Sequence, residues 1–360
     1  MTPLPDFWSG KRVLLTGHTG FKGTWCALWL QRLGAHVSGL ALEPTTEPAF
    51  WPAVGRPADG ESIGDIRDAR RVRQAFERAQ PDIVIHMAAQ ALVHPSFEAP
   101  AETFDVNVMG LIQVLDAARA STSVKAVVNV TSDKCYENVE HVWAYRETEP
   151  MGGSDPYSAS KGCAELVTSS YRRSFFKDPA GARLASGRAG NVIGGGDWSR
   201  DRLIPDCVRA FQSGQPVVIR NPLATRPWQH VLEPISGYLI LAQQLYKRGN
   251  EVAEGWNFGP SDDDAWTVGR VVDKTVSLWG GGATWRRDES VWPKEAMLLR
   301  VDATKARVRL GWRPRLDVAE ALAWTVDWYQ KVDQGKPALE VTLDQIERYE
   351  KRAETLGGSA

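Results

Sequence analysis

A hydroxyl, a carboxylate and an amine stand side by side where an apolar run of the sequence ends. The run is "VKAVVNVT" (124–131), whose pattern predicts a buried strand, and Ser132, Asp133 and Lys134 follow it directly. At one strand end these side chains could serve as an orienting donor, an acid and a base around a single substrate. An ordinary polar turn has the same composition, so the triplet needs support from the rest of the chain.

A tyrosine and a lysine form a second candidate pair in "PYSASKGCAELVTSSYRRSFF" (156–176). Pro156 favours a helix start here, and Tyr157 and Lys161 are then four residues apart on one helix face. A phenol with an ordinary pKa of about 10 is a poor base at neutral pH. A neighbouring lysine and a cationic nicotinamide ring would lower that pKa. The alternative for an isolated match is a solvated Tyr–Lys pair.

The glycine-rich stretch "TGHTGFKG" supports the catalytic interpretation. It lies between a predicted strand at 11–16 and a predicted helix at 22–34. There Gly17 would tighten the turn, Gly20 would let the backbone approach a pyrophosphate, and Gly23 would let the helix pack on the strand. The pattern predicts a dinucleotide site at the helix N-terminus. The residues assigned to it are Gly17, Thr19, Gly20, Phe21, Lys22 and Gly23.

The choice between NAD and NADP depends on the residues that follow the second strand. No Arg or Lys lies between 37 and 55 to bind a 2′-phosphate, and Glu43 comes slightly late for the ribose hydroxyls. The sequence therefore favours NAD. Asp65 and Ile66 follow a predicted third strand, where a carboxylate could hold the adenine amino group. A helix N-cap at Asp65 or Asp68 is the alternative for this segment.

Apolar runs alternate with helical patterns through the first half of the chain. Strands are predicted at 11–16, 36–42, 82–89 and 124–131, and helices at 22–34, 68–79, 101–120 and from 156 onward. This alternation predicts an α/β fold with a doubly wound parallel Rossmann sheet and a smaller mixed α/β C-terminal region that binds substrate. The expected division is a Rossmann domain (1–188), a substrate-binding region with segments returning to the core (189–350) and a flexible tail (351–360).

Composition argues against several classes of partner. The net charge of −1 favours neither nucleic acid nor an anionic membrane, and no apolar run is long enough to span a bilayer. Met1 is not followed by the pattern of a signal peptide. The four cysteines have no metal-ligand spacing, so we expect reduced thiols, no metal and a cytoplasmic location.

Together these motifs resemble the extended short-chain dehydrogenase/reductase family. The matching stretches are "TGHTGFKG", "HMAAQ" (86–90), "NVMG" (107–110), Ser132, "YSASK" (157–161) and "RAGNVIGGGDW" (188–198). "TSDKCYEN" and "RPWQHVLEP" are similar to the CDP-sugar branch of the sugar-nucleotide 4,6-dehydratases. The resemblance implies NAD as cofactor, CDP-glucose as substrate, and a homodimer or homotetramer. It also implies cofactor contacts at Ala88, Ala89, Gln90 and Asn107.

The resemblance assigns roles to the polar triplet. Asp133 matches the acid that protonates the departing 6-hydroxyl, and Lys134 stands where related dehydratases carry a glutamate that removes the C5 proton. Lys134 could be that base if its pKa is lowered, or it could stabilise an enolate while Asp133 or water takes the proton. Tyr157, aided by Lys161 and Ser132, would take the 4-hydroxyl proton. Substrate contacts are expected at Asn191, Arg202, Leu203, Arg220, Arg226 and Arg300.

Two other functions stay open at this point. An epimerase or decarboxylase of the same fold would share Ser132, Tyr157 and Lys161, but it would not need an acid at Asp133. A nucleotide-sensing protein without catalysis would bind the dinucleotide reversibly, and the intact Tyr157–Lys161 pair argues against it.

Overall fold

The computed structural model describes residues 1–56, 58–261, 264–290 and 297–357. The strands are β1 (Arg12–Thr16), β2 (His36–Ala41), β3 (Gly60–Ile63), β4 (Ile83–His86), β5 (Ala126–Val130), β6 (Arg183–Ala189), β7 (Val192–Ile193), β8 (Val217–Ile219), β9 (Thr225–Pro227), β10 (Gln229–His230), β11 (Gly255–Phe258), β12 (Ala265–Thr267) and β13 (Trp285–Arg287). The α-helices are α1 (Pro5–Trp8), α2 (Phe21–Arg32), α3 (Phe50–Ala53), α4 (Ala69–Ala79), α5 (Val93–Glu98), α6 (Pro100–Phe104), α7 (Leu111–Ala120), α8 (Pro156–Ser174), α9 (Leu203–Gln212), α10 (Leu232–Arg248), α11 (Val268–Trp279), α12 (Val318–Asp333) and α13 (Ala338–Gly357).

Seven parallel strands form the central sheet in the order β11-β6-β5-β4-β1-β2-β3. The inner strands β4 and β5 are buried along their whole length, as expected for a sheet covered on both faces. The strand order reverses at β1, which lies between β2 and β4, so a ligand crevice is expected at the carboxyl ends of these strands. The doubly wound parallel fold predicted from the sequence is confirmed.

Two hydrophobic layers cover the sheet. Helices α4, α7 and α8 pack on one face, around Leu14, Val84 and Val127. Helices α2 and α10 pack on the other face, where α12 and α13 add further tryptophan and tyrosine side chains. Within the described residues, none of the helices is both long and apolar enough to cross a membrane.

The single helix predicted at 101–120 differs from the observed segment. Helix α6 ends at Phe104, a π-helical turn follows at Asp105–Gly110, and α7 then begins at Leu111. The extra residue of a π turn changes the direction in which the following side chains point, and such turns are frequent near functional sites. Here the turn directs Asn107 towards the residues that follow β4.

The second half of the chain contributes short two-stranded sheets and the last strand of the central sheet. The short pairs are β7–β10, β9–β12 and β8–β13. Strand β11 and helix α10 return to the central sheet, beside β6 and β5. Helix α13 continues to Gly357, within the segment for which the sequence predicts a flexible tail, and 358–360 lie outside the described residues.

Candidate active site

The glycine-rich loop joins β1 to α2 where the strand order reverses. Gly17 has φ +75°, and a Cβ there would lie 2.7 Å from the backbone nitrogen of Ala88. A Cβ at Gly23 would lie 2.0 Å from the carbonyl oxygen of Gly17. The loop and α2 can therefore pack this closely only because residue 23 is a glycine. At Gly20 a Cβ would have one neighbour within 4 Å, at 3.4 Å, so the protein leaves room there. This cradle at the N-terminus of α2 fits the pyrophosphate of a dinucleotide.

Other residues predicted to bind the cofactor surround this loop. Asn107 accepts a hydrogen bond from the backbone N–H of Gln90 at 2.9 Å and donates to the hydroxyl of Ser160 at 2.8 Å. Thr19 donates to the carbonyl of Leu42 at 2.8 Å. Ala88 and Ala89 are half-buried after β4, and Ile66 is buried beneath Gly110. Their contacts with a cofactor stay predictions.

Both acidic positions considered for ribose and adenine contacts are paired with arginines. Asp65 accepts hydrogen bonds from the guanidinium of Arg67 at 2.6 and 2.9 Å, whereas the N-cap of α4 is Asp68. Glu43 pairs with Arg56 at 2.9 Å. Arg56 lies just after the segment 37–55, which contains no Arg or Lys. Its ion pair with Glu43 partly neutralises the guanidinium charge.

Ser132 and Asp133 form a compact turn at the end of β5. Ser132 caps the 3-10 turn Asp133–Cys135: its hydroxyl accepts the backbone N–H of Lys134 at 3.2 Å and donates to Oδ1 of Asp133 at 3.0 Å. Oδ2 of Asp133 is buried without a hydrogen-bond partner, and a Cβ at Gly190 would lie 2.8 Å from it. Burial raises the pKa of Asp133 above its ordinary value, so this carboxyl holds a proton more readily than an exposed one.

Tyr157 and Lys161 project from α8 towards the same turn. Asp155 and Pro156 begin this helix, the aspartate as its N-cap. Burial raises the pKa of Tyr157 to about 12, although a hydrogen bond with Ser132 and the charge of Arg202 lower it. The lowered pKa expected for this tyrosine is therefore not a property of the protein environment alone. Burial lowers the pKa of Lys161 to about 8.

Cations concentrate around this acid and tyrosine. Lys22 is half-buried at the start of α2, and burial lowers its pKa to about 7, with further lowering from the charges of Arg202 and Lys161. The carboxylates of Asp133 and Asp197 act in the opposite direction, which places both near the amine of Lys22. Arg202 also forms an ion pair with Asp197 at 3.1 Å. Such a cluster can balance the charge of a diphosphate.

The predicted substrate residues lie on several elements of the second half of the chain. Arg226 is buried on β9, and its charge lowers the pKa of Asp133, so it belongs to the same site. Arg220 instead acts on the carboxyl of Asp206, and Arg300 lines a cleft with Pro227 and Ser261. Asn191 lies between β6 and β7, and Leu203 begins α9. Their roles in substrate binding stay predictions.

The sequence interpretation missed a buried ion pair beside the site. Glu165 on α8 and Arg188 on β6 lie 2.7 Å apart, and both side chains are almost fully buried. Glu165 is four residues beyond Lys161, so the spacing of Tyr157, Lys161 and Glu165 along one helix face was the available signal. Asp197, the partner of Arg202, was also missed.

Comparison with known proteins is consistent with this geometry. The model of the GDP-mannose 4,6 dehydratase family matches residues 14–325. The CDP-glucose 4,6-dehydratase of Salmonella typhimurium is 53% identical over 350 residues, which cover 96% of this chain and 97% of that protein. The dTDP-glucose 4,6-dehydratase of Streptomyces griseus is 31% identical over 330 residues, with coverage of 89% and 94%.

Among solved structures, the UDP-glucose 4-epimerase of Thermus thermophilus in complex with NAD is 25% identical and matches with a TM-score of 0.77. The match covers 89% of this chain and 99% of that one. The resemblance to sugar-nucleotide 4,6-dehydratases inferred from the sequence is confirmed. The chain belongs to the GDP-mannose 4,6 dehydratase family.

Proposed function

We propose that this protein is an NAD-dependent dehydratase that converts CDP-glucose to CDP-4-keto-6-deoxyglucose and water. The observation that supports a dehydration reaction is the turn at Ser132. This turn brings the buried acid Asp133 close to the phenol of Tyr157. The choice of CDP-glucose rests on the Salmonella relative, which is similar over nearly the whole chain.

The first step is oxidation of the sugar at C4. Held at the loop of Gly17, Gly20 and Gly23, NAD would supply the acceptor for the C4 hydride and, once reduced, the donor of that hydride to C6. Tyr157 takes the proton of the 4-hydroxyl, and Ser132 orients that group while lowering the pKa of the phenol. Lys161 stabilises the phenolate by its positive charge.

The second step is loss of water across C5 and C6. The new 4-ketone acidifies the C5 proton, and Asp133 protonates the departing 6-hydroxyl. The raised pKa of Asp133 suits this role, because the carboxyl must hold a proton before it can give one. A proton is finally added at C5, so the net change is loss of one water. Lys134, Asp133 and water stay the alternatives for the base that removes the C5 proton.

The diphosphate of the substrate would be held by cations at the rim of the same site. Arg202 and Arg226 act electrostatically on Tyr157 and Asp133 respectively, so both lie near the reacting end of the sugar. Lys22, which is predicted to bind the cofactor, adds positive charge beside them. We also propose contacts from Asn191, Leu203, Arg220 and Arg300, assembly as a homodimer or homotetramer, and a cytoplasmic location.

Mass spectrometry tests this function. The purified protein is incubated with NAD and, separately, with CDP-, dTDP-, GDP- and UDP-glucose. Loss of one water from CDP-glucose alone, without net formation of NADH, is the expected result. Loss of water from another nucleotide would retain the mechanism and replace the substrate. A product of unchanged mass and altered stereochemistry would indicate an epimerase, and no reaction with any substrate would overturn the proposal.

A further inference from the structure

One buried polar network contacts the catalytic turn on both sides. Thr131 immediately precedes Ser132, and its hydroxyl donates to Oε1 of Glu165 at 2.5 Å. Tyr136 follows the turn, and its hydroxyl accepts a hydrogen bond from Arg188 at 2.7 Å. Glu165 and Arg188 are themselves paired at 2.7 Å, so the two ends of the turn are joined through a single ion pair.

The network also reaches the helix that carries the tyrosine and lysine. Glu165 lies one helical turn beyond Lys161 on α8, and its second oxygen accepts the hydroxyl of Ser186 on β6 at 2.8 Å. Burial alone would raise the pKa of Glu165, but the charge of Arg188 and the hydrogen bonds bring it below its ordinary value. The carboxylate is therefore ionised, and its charge fixes α8 against both β6 and the turn.

The same network extends into the C-terminal half of the chain. The hydroxyl of Tyr136 donates to Oδ1 of Asn257 on β11 at 2.7 Å. The amide of Asn257 donates in turn to the carbonyl of Tyr145 at 2.9 Å and to that of Asp302 at 3.1 Å. Hydrogen bonds thus connect the turn to α8, β6 and β11 and, through Asn257, to Tyr145 and Asp302.

A buried ion pair such as this one is weak evidence for a gain in stability. Burying an arginine and a glutamate costs desolvation energy that their attraction only partly offsets, and apolar residues of similar size are often at least as stabilising. The backbone leaves room for the guanidinium, since a Cβ at Gly255 would lie 2.4 Å from Nη2 of Arg188. Next to a reaction centre, such a pair can fix geometry to the precision that catalysis needs.

We infer that Tyr136, Glu165 and Arg188 are positioning residues. They hold the turn at 132–134 in a fixed position relative to Tyr157 and Lys161. The inference deepens the proposed function and rests on it. These side chains would bind no substrate; they would act through the turn and the helix.

The test compares two tyrosine-to-phenylalanine changes. Tyr136→Phe removes the hydroxyl between Arg188 and Asn257 and keeps the ring. Tyr349→Phe is the matched control: its hydroxyl is equally buried and donates to Glu233 at 2.6 Å, but its ring packs against Trp29, two turns along α2 from the glycine-rich loop. We expect kcat to fall about tenfold to a hundredfold in Tyr136→Phe, with KM changed by less than about threefold, and to stay near wild type in the control.

Two substitutions of Thr131, at the other end of the turn, test the same inference if Tyr136→Phe folds poorly. Thr131→Val removes the hydroxyl that Glu165 accepts, whereas Thr131→Ser retains it. The valine variant should lose kcat as Tyr136→Phe does, and the serine variant should recover it. Wild-type kcat in both Tyr136→Phe and Thr131→Val, or equal losses in the serine and valine variants, would overturn the inference.

Hydrogen exchange separates this outcome from a failure of the proposed function. Backbone amides of 131–136 should exchange at least about tenfold faster in Tyr136→Phe and Thr131→Val than in wild type and Tyr349→Phe. This measurement requires no substrate. Unchanged exchange would show that the network does not hold the turn, whichever sugar nucleotide the wild-type protein accepts.

Discussion

The hydroxyl of Ser132 donates a hydrogen bond to Oδ1 of Asp133 at 3.0 Å and also lowers the pKa of Tyr157. One side chain thus contacts both the proposed acid of the elimination and the proposed base of the oxidation. Because burial raises the pKa of the phenol to about 12, this hydroxyl is one of the few protein groups that favour the phenolate.

Replacement of Ser132 by alanine should therefore raise the pKa of Tyr157 further. A base with a higher pKa is ionised only at higher pH, so the rising limb of the pH–rate profile should shift to higher pH. At neutral pH we expect kcat to fall about tenfold to a hundredfold. Ser132→Thr keeps the hydroxyl, so its rate should rise with pH over the same range as that of the wild-type protein. An unchanged profile in Ser132→Ala would contradict the role of this group.

Asp133→Asn should separate oxidation from water loss. An amide cannot protonate the departing 6-hydroxyl, whereas the C4 oxidation depends on Tyr157. We expect reduced cofactor to accumulate on mixing with CDP-glucose, while formation of the dehydrated product falls by at least about a hundredfold. Absorbance of the reduced nicotinamide and mass spectrometry measure the two steps. Equal losses in both steps would assign Asp133 to the oxidation as well.

Lys134→Met tests the base that removes the C5 proton. Methionine has a similar length and cannot accept a proton, so its effect isolates the amine. If Lys134 is the base, oxidation at C4 should persist, and both water loss and deuterium incorporation at C5 in heavy water should fall by at least about a hundredfold. Near wild-type incorporation would leave Asp133 or water as the base.

Gly23→Ala should abolish the fit between the glycine-rich loop and α2. The added Cβ would lie 2.0 Å from the carbonyl oxygen of Gly17, so the loop must move. We expect NAD affinity to weaken on the order of a hundredfold by calorimetry. Gly181→Ala is the control, because its Cβ would have no neighbour closer than 3.7 Å. Similar affinities in the two variants would argue against NAD binding at this loop.

Glu233→Gln should flatten the pH dependence of stability. Burial raises the pKa of Glu233 to about 7, although hydrogen bonds from Tyr349, Arg315 and Leu316 lower it. The unfolded chain loses this proton at lower pH than the folded one, so stability falls as pH rises from about 4.5 to 7. The full effect is on the order of 3 kcal/mol. Thermal unfolding across this range should show a smaller fall in the glutamine variant; parallel curves would contradict the assignment.

Local patterns in the sequence predict the elements of the first half well. Gly17, Gly20 and Gly23 mark the loop between β1 and α2 because strand, turn and helix signals coincide within a few residues. Tyr157 and Lys161 are similarly visible, since their spacing is that of one helix face. The interruption of the helix at 101–120 has no such local signal: it accompanies long-range hydrogen bonds from Asn107.

The buried network shows why other parts of the site could not be predicted. The spacing of Glu165 from Lys161 indicates a shared helix face, but no local pattern indicates that its partner is Arg188, 23 residues further on. Their partnership exists only because α8 packs on β6. The upward shift in the pKa of Tyr157 is similarly a property of burial, which spacing does not reveal.

The edge strand β11 has a consequence for how the protein is made. Six strands of the central sheet are complete at Ala189, but their neighbour on the β6 side spans Gly255–Phe258. During synthesis the chain emerges N-terminus first, so β6 presents an open row of backbone N–H and C=O groups until β11 arrives. An open edge of this kind can pair with another nascent chain. Premature termination before residue 255 should therefore yield aggregates rather than a smaller dinucleotide-binding protein.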